Sequence, residues 1–243
     1  MPALRDADRK RVDLPPGKPV VIAFLSFECH VARDYFSTLS QMATDYASKG
    51  VTLVGLVPTN DSPAEVARQA HEYKAKFPIL SDANHRAVAA LKAGYTPEAF
   101  VMDGEGKLRY RGRIDDKYSA KLKQNARITR HDLHAALNEV LATKEVSVLV
   151  TQPVGCKISP LDGLQPPVGK VTYYRDVLPI LQERCQSCHR PGDVGPFSLM
   201  TYKQAVTWAA DIKEYTHTRK MPPWKPVDGA TFQHDRRMPA EEI

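Results

Sequence analysis

The sequence predicts an α/β domain, a mixed sheet flanked by helices, followed by a small all-α domain. Three observations carry this. Residues 18–145 alternate strand-length apolar runs with stretches of helical periodicity. Residues 151–170 change texture, with Pro153, Pro160, Pro166 and Pro167 among Gly155, Gly163 and Gly169, a linker composition. Residues 171–243 carry helical stripes and no strand pattern. The predicted organisation is therefore 1–150, a linker over 151–170, and 171–243.

The elements follow in order. Lys18 to Ser26 is a near-continuous apolar run, as a strand buried on both faces requires. Phe36, Leu39, Met42, Ala43 and Tyr46 recur at helical spacing, with Gly50 as the stop. Val51 to Val57 is a second buried strand. Ser62-Pro63-Ala64-Glu65 is a capping box opening a helix to about Lys76. Phe77 to Leu80 is a short strand, and Ala87 to Ala93 a short helix ended by Gly94. Glu98 to Met102 and Lys107 to Arg111 form a hairpin over Asp103-Gly104-Glu105-Gly106. Thr129 is predicted to cap a helix running through Leu133, Leu137, Val140 and Leu141.

Composition narrows the class. With 243 residues, a net charge of +6 and 26% charged residues, the chain is ordinary for a globular protein and lacks the dense basic stripe of a nucleic-acid binder. No run reaches the ~18 apolar residues of a membrane span. The first residues lack the apolar core of a signal peptide. Met238 to Ile243 reads as the first turn of a helix without a body, so a cut C-terminal helix and further domains of a longer parent are expected.

Cys185-Gln186-Ser187-Cys188-His189 is C-x-x-C-H, the attachment sequence for c-type haem. Two thiols one turn apart each form a thioether to a haem vinyl group, and the adjoining imidazole meets the iron. Zinc is disfavoured because no second Cys pair completes four ligands. Tyr174, Val177, Leu178 and Leu181 make one apolar stripe; Pro179 requires that helix to start near Asp176 or to kink. Ala205, Trp208, Ala209 and Ile212 make another stripe. The sixth iron ligand is assigned to Met221, in Met221-Pro222-Pro223-Trp224, with His217, His234 and Met238 as competitors. Residues 171–227 resemble the small cytochrome c domains of multidomain bacterial proteins. Arg175-Asp176-Val177-Leu178-Pro179-Ile180-Leu181, Cys185 to Gly192 and Arg219 to Trp224 carry the likeness. It implies one covalent haem c, His189 and Met221 as axial ligands, and electron transfer.

Cys29 follows the first buried strand and opens the first long helix, where backbone N–H groups lower a thiol pKa. Thr96-Pro97, just before a strand, is a candidate cis peptide. Residues 1–150 resemble redoxin, or thiol-specific antioxidant, domains of the thioredoxin fold. The likeness rests on Phe24 to Cys29 (F-L-x-x-E-C), Thr96 to Asp103, Arg109 to Asp116, and Val154-Gly155-Cys156. It implies thiol redox chemistry at Cys29 with cis-Pro97 beside it. Ala32 removes any C-x-x-C. The pattern P-x-x-x-T-x-x-C is met at Ser26 but broken at Ile22. Cys156 is the candidate resolving thiol, reaching Cys29 from a flexible linker. A structural Cys29–Cys156 bond and an inert Cys29 remain the alternatives. Arg109, Arg111 or Arg113 are candidates to stabilise a thiolate and peroxide. His30 is read as a surface histidine, against a base or copper ligand, and Arg109 to Arg130 as a solvated loop able to dock an acidic partner.

The expected function is an exported thiol redox protein, peroxidase-like or exchanging disulfides, coupled to a c-type haem. Its partners are an electron donor or acceptor protein, or a peroxide or disulfide substrate. The resemblance to cytochrome c domains implies haem attachment outside the cytoplasm, so the periplasm or envelope is expected. The alternatives are an electron carrier with a structural first domain, and a haem-based redox sensor.

Overall fold

The computed structural model describes residues 6–59, 61–121, 123–158, 169–223 and 237–243. The chain divides into two units, Met1–Ile158 and Ser159–Ile243.

In the first unit, β1 (Val20–Phe24) sits at the centre of a five-stranded sheet. After it come a single helical turn, α1 (His30–Arg33), and the long α2 (Phe36–Ala47). β2 (Thr52–Val57), α3 (Pro63–Glu72), β3 (Ile79–Ser81) and α4 (Arg86–Leu91) complete the alternating half. β4 (Tyr95–Thr96), β5 (Glu98–Met102) and β6 (Leu108–Gly112) lead to a small hairpin of β7 (Tyr118–Ala120) and β8 (Lys123–Gln124). α5 (Asp132–Leu141) and β9 (Cys156–Lys157) close the unit.

The sheet order is β3-β2-β1-β5-β6. β1 pairs parallel with β2 and antiparallel with β5, so the sheet is mixed. The apolar run of β1 is explained by cover on both faces: Val21, Ala23 and Phe24 have no exposed surface. Phe24 packs edge-on against Phe100. Phe27, Phe36, Tyr73 and Phe77 stack between the sheet and the helices around it.

Several expectations are corrected. α3 ends at Glu72, not near Lys76, because Lys74 turns to a left-handed φ of 51°. Lys92, also left-handed, ends α4 before Gly94 is reached. Thr129 does not cap α5. Its hydroxyl and amide are bound to Asp116, whose carboxyl these bonds hold down at about 2. Arg109 to Arg130 is not a solvated loop throughout: Tyr110, Ile114, Asp115, Asp116 and Tyr118 are buried, and exposure begins beyond them.

The largest correction concerns residues 151–158, which are built into the first unit. Thr151 donates from its amide to Arg111, and its hydroxyl meets the Tyr110 phenol at 2.6 Å. Gly112 permits this, since a Cβ there would lie 2.2 Å from Thr151 Oγ1. Cys156 then pairs with Thr96, as β9 runs antiparallel to β4.

In the second unit a π-helical turn, Tyr173–Val177, precedes α6 (Leu178–Arg184). Pro179 thus falls in the first turn of α6, where its missing N–H costs nothing. The second stripe is broken at Trp208 into α7 (Tyr202–Thr207) and α8 (Ala209–His217). Thr201 and Gln204 form a full capping box on α7. Residues 240–242 form one 3₁₀ turn.

Candidate functional site

Cys29 stands where β1 gives way to helix. Ser26 Oγ accepts the Glu28 amide at 3.2 Å and shapes the turn before it. Cys29 is the N-cap of α1, and its carbonyl accepts the Arg33 amide. α1 is only 4 residues long, so the helix end behind the thiol is weaker than the sequence implied.

Cys29 and Cys156 form a disulfide with their Cα atoms 5.9 Å apart. Both are fully covered, at 0% and 2% exposure. Thr96-Pro97 is a cis peptide, as the sequence predicted, and both residues are buried. The Thr96 carbonyl oxygen lies 3.1 Å from Cys29 Sγ, an acceptor within reach of that sulfur. Cys156 does not reach over from a flexible linker. β9 is laid on β4, with the Ile158 amide donating to the Gly94 carbonyl. Gly155 allows the approach, since a Cβ there would sit 2.2 Å from the Thr96 oxygen and 2.9 Å from Pro97 Cδ.

The three arginines are all committed elsewhere. Arg109 pairs with Asp103, Arg111 with Glu98 at 2.6 Å, and Arg113 with Asp132 at 2.6 Å. Glu98, which sequence reasoning missed, is 1% exposed and follows Pro97 directly. Its Oε2 accepts the Gly94 and Tyr95 amides at 2.8 and 3.3 Å. A charged residue inside the predicted strand Glu98 to Met102 was the signal available.

His30 is half-buried rather than a surface residue. Its Nε2 lies 2.8 Å from the Lys121 carbonyl, and its ring meets Tyr118 edge-on. Burial holds its pKa below the usual 6.5. His134, bound to the Tyr46 phenol, is lowered by burial too. A histidine kept neutral in the fold takes up its proton on unfolding. Stability from this source is therefore full above the unfolded pKa and lost as pH falls through the lower folded value. The melting temperature is expected to hold above about pH 7 and to decline from about pH 6.5 downward, before carboxylates titrate. Thermal unfolding scans of the wild type and His30→Gln/His134→Gln check this, and an unchanged slope in the double variant would refute it.

In the second unit, neither Cys185 nor Cys188 is in a disulfide. The amides of Cys188 and His189 both donate to the Cys185 carbonyl, which makes the motif one tight turn. Burial, then the neighbouring Cys188 and Glu242, push the Cys185 thiol up to about 11. His189 is 9% exposed, and its Nδ1 lies 3.1 Å from the Phe197 carbonyl. A carbonyl only accepts, so Nδ1 carries the proton and Nε2 keeps a free lone pair, the arrangement an iron-binding imidazole needs. Gly195 lies close behind, where a Cβ would be 2.7 Å from the His189 ring. Phe197 stacks on Trp208 with centroids 3.6 Å apart, and Leu181, Leu199 and Ala205 are buried. Two thiols and an imidazole deprotonated at Nε2 are the donor set that a c-type haem would use. Met221 is half-buried and its amide donates to Tyr215. His217 is exposed, and Met238 is buried with its carbonyl bound by Arg219. His234 and Trp224 lie outside the described residues.

Residues 3–111 match the AhpC/TSA family. The first unit is a thioredoxin-like domain. Two solved structures share its architecture with a TM-score of 0.56: a hypothetical protein of Sinorhizobium meliloti at 28% identity and an uncharacterized conserved protein of Geobacillus kaustophilus at 27%. Each alignment covers 64% of this chain, and 88% and 86% of those chains respectively. Among characterised relatives, the thiol-disulfide oxidoreductase YkuV of Bacillus subtilis is 27% identical over 103 residues, 41% of this chain and 70% of YkuV. The thiol-disulfide oxidoreductase ResA of the same organism is 26% identical over 107 residues, 43% of this chain and 59% of ResA. Among the described residues no helix is long and apolar enough to cross a membrane.

Proposed function

We propose that the thioredoxin-like domain is a thiol-disulfide oxidoreductase whose redox pair is Cys29 and Cys156, joined in one chain to a haem c electron-transfer module. The carrying observation is the Cys29–Cys156 bond held against the Thr96-Pro97 turn. The names of YkuV and ResA support the same class.

In the reduced protein the Cys29 thiolate attacks a substrate disulfide, forming a mixed disulfide and releasing one substrate thiolate. The Cys156 thiolate then attacks Cys29 Sγ, which forms the internal bond and releases the second substrate thiolate. Two electrons pass to the substrate and two protons leave the pair. The work given to the missing C-x-x-C partner thus falls to a cysteine 127 positions downstream. Disulfide exchange is favoured over peroxide reduction because each candidate arginine is bound to a carboxylate rather than offered to Cys29.

In the second unit Cys185 and Cys188 would hold the haem by thioethers, His189 would bind the iron, and Met221 would take the sixth position. A bound haem would supply one-electron transfer. Thioether attachment and an internal disulfide both suit an exported protein, and the periplasm or envelope is the compartment proposed.

The test is alkylation of free thiols in the full native chain after a mild reductant, and again after a disulfide oxidant is added back. Fast, stoichiometric and reversible loss of the Cys29 and Cys156 thiols is expected. A bond that stays closed until the protein is denatured would leave only a structural cross-link.

A further inference from the structure

We infer that the Glu98–Arg111 ion pair, with a buried carboxylate and a half-buried guanidinium, is the positioning device of the Cys29–Cys156 centre. Glu98 fixes the turn that faces Cys29, and Arg111 fixes the strand that delivers Cys156.

Glu98 is placed for this. It opens β5 opposite Phe24 on β1, the strand that ends five residues before Cys29. One carboxylate oxygen holds the Gly94 and Tyr95 amides, and so sets the path of the backbone into Thr96. Thr96 in turn presents its carbonyl to Cys29 Sγ and pairs with Cys156. The other oxygen takes the Arg111 guanidinium, which also donates to the Lys92 carbonyl at 3.0 Å. The Arg111 backbone exchanges bonds with Leu149 and Thr151, and this segment leads five residues on to Cys156. One side-chain pair therefore touches both backbone paths that converge on the disulfide.

An ion pair with one buried partner adds little net stability, because desolvation of the carboxylate offsets the attraction. Its bonds are directional, however. Glu98 Oε2 can accept both amides only if residues 94–96 follow this path. Loss of the carboxylate would leave two half-buried amides to find other partners, and the turn would move with them. The bond between Cys29 and Cys156 depends on that placement, because small displacements at either sulfur change the tendency of two thiols to join.

The inference rests on the redox reading above for its meaning, and the test separates the two. The reduction potential of the Cys29–Cys156 bond is measured on the full chain by thiol alkylation in dithiothreitol buffers. Variants are Glu98→Ala, Glu98→Gln and Val101→Ala, the last a fully buried β5 residue that makes only packing contacts of this strand. Glu98→Ala is expected to lower the constant for disulfide formation about tenfold, about 30 mV for this two-electron couple. Glu98→Gln keeps an oxygen for the amides and is expected to lose about threefold. Val101→Ala is expected to lower stability and leave the potential in place. If Glu98→Ala does not accumulate folded, Glu98→Gln against Val101→Ala decides. A glutamine shift no larger than that of Val101→Ala would overturn the inference. A wild-type potential below about −300 mV would mark the bond as structural and sink the redox reading, while the ranking of the variants would still decide the role of Glu98.

Discussion

Replacing Gly155 by alanine is expected to open the internal disulfide at equilibrium. The new Cβ would stand 2.2 Å from the Thr96 carbonyl oxygen, 2.7 Å from its carbon and 2.9 Å from Pro97 Cδ. Two of these three atoms are backbone, in a turn bound by Glu98, so neither side yields by rotating a side chain. The strain is of the overpacking kind, roughly 2 kcal/mol, which corresponds to a fall of about thirtyfold in the disulfide constant. Gly94→Ala is the matched control: it lies beside the same turn, keeps its amide for Glu98, and meets nothing within 4 Å. Thiol counts in graded dithiothreitol buffers check both. A Gly155→Ala protein as readily oxidised as the control would show that β9 does not need its close seat on β4.

The second large effect concerns haem. Protein made with periplasmic c-type maturation is expected to stain for covalent haem after denaturation. Cys185→Ala/Cys188→Ala is expected to lose that stain completely, because no thioether can form. Met221→Ala is expected to keep the covalent haem and to lose the six-coordinate reduced spectrum, with a lowered potential. Met238→Ala, which removes a buried methionine of the same unit, is expected to leave the spectrum unchanged. The reverse pattern would pass the sixth position to Met238. A wild-type protein without covalent haem would remove the electron-transfer half of the proposed function.

Much of the first unit was legible in the sequence because its strands are long enough to carry a pattern. The apolar runs at residues 18–26 and 51–57 became β1 and β2, and Ser62 caps α3 by accepting the Glu65 amide, although the Glu65 carboxylate turns to Arg68 and Gln69 instead of closing the predicted box. β4 and β9 are two residues each, and no periodicity can reveal a strand of two. Their pairing brings Cys156 to Cys29, so the centre could be named but its construction could not. Composition misled at the same place. Proline and glycine at 151–158 read as a flexible tether, whereas Gly155 is there for contact: only a residue without Cβ fits against Thr96. Thr129 misled differently. A hydroxyl before a helix has the pattern of a cap, yet Asp116, distant in sequence and near in space, binds it first. The haem proposal rests on the C-x-x-C-H motif, five consecutive residues whose chemistry is local. What the fold adds is the Phe197 carbonyl that sets the His189 tautomer.

The cross-link joins positions 127 residues apart, so nearly the whole first unit lies inside one covalent ring. A ring of that size removes much of the freedom of the unfolded chain. In the chain-entropy account it is worth about 5 kcal/mol. Each reduction of the centre would open that ring, and each oxidation would close it. Electron transfer at this pair is therefore also a change in how firmly the domain is folded. Oxidised and reduced protein are expected to melt some 10–20 °C apart, about 2–4 °C per kcal/mol for a unit of this size. A thermal scan in the presence and absence of reductant thus reads the redox state of two buried sulfur atoms through the stability of the surrounding domain.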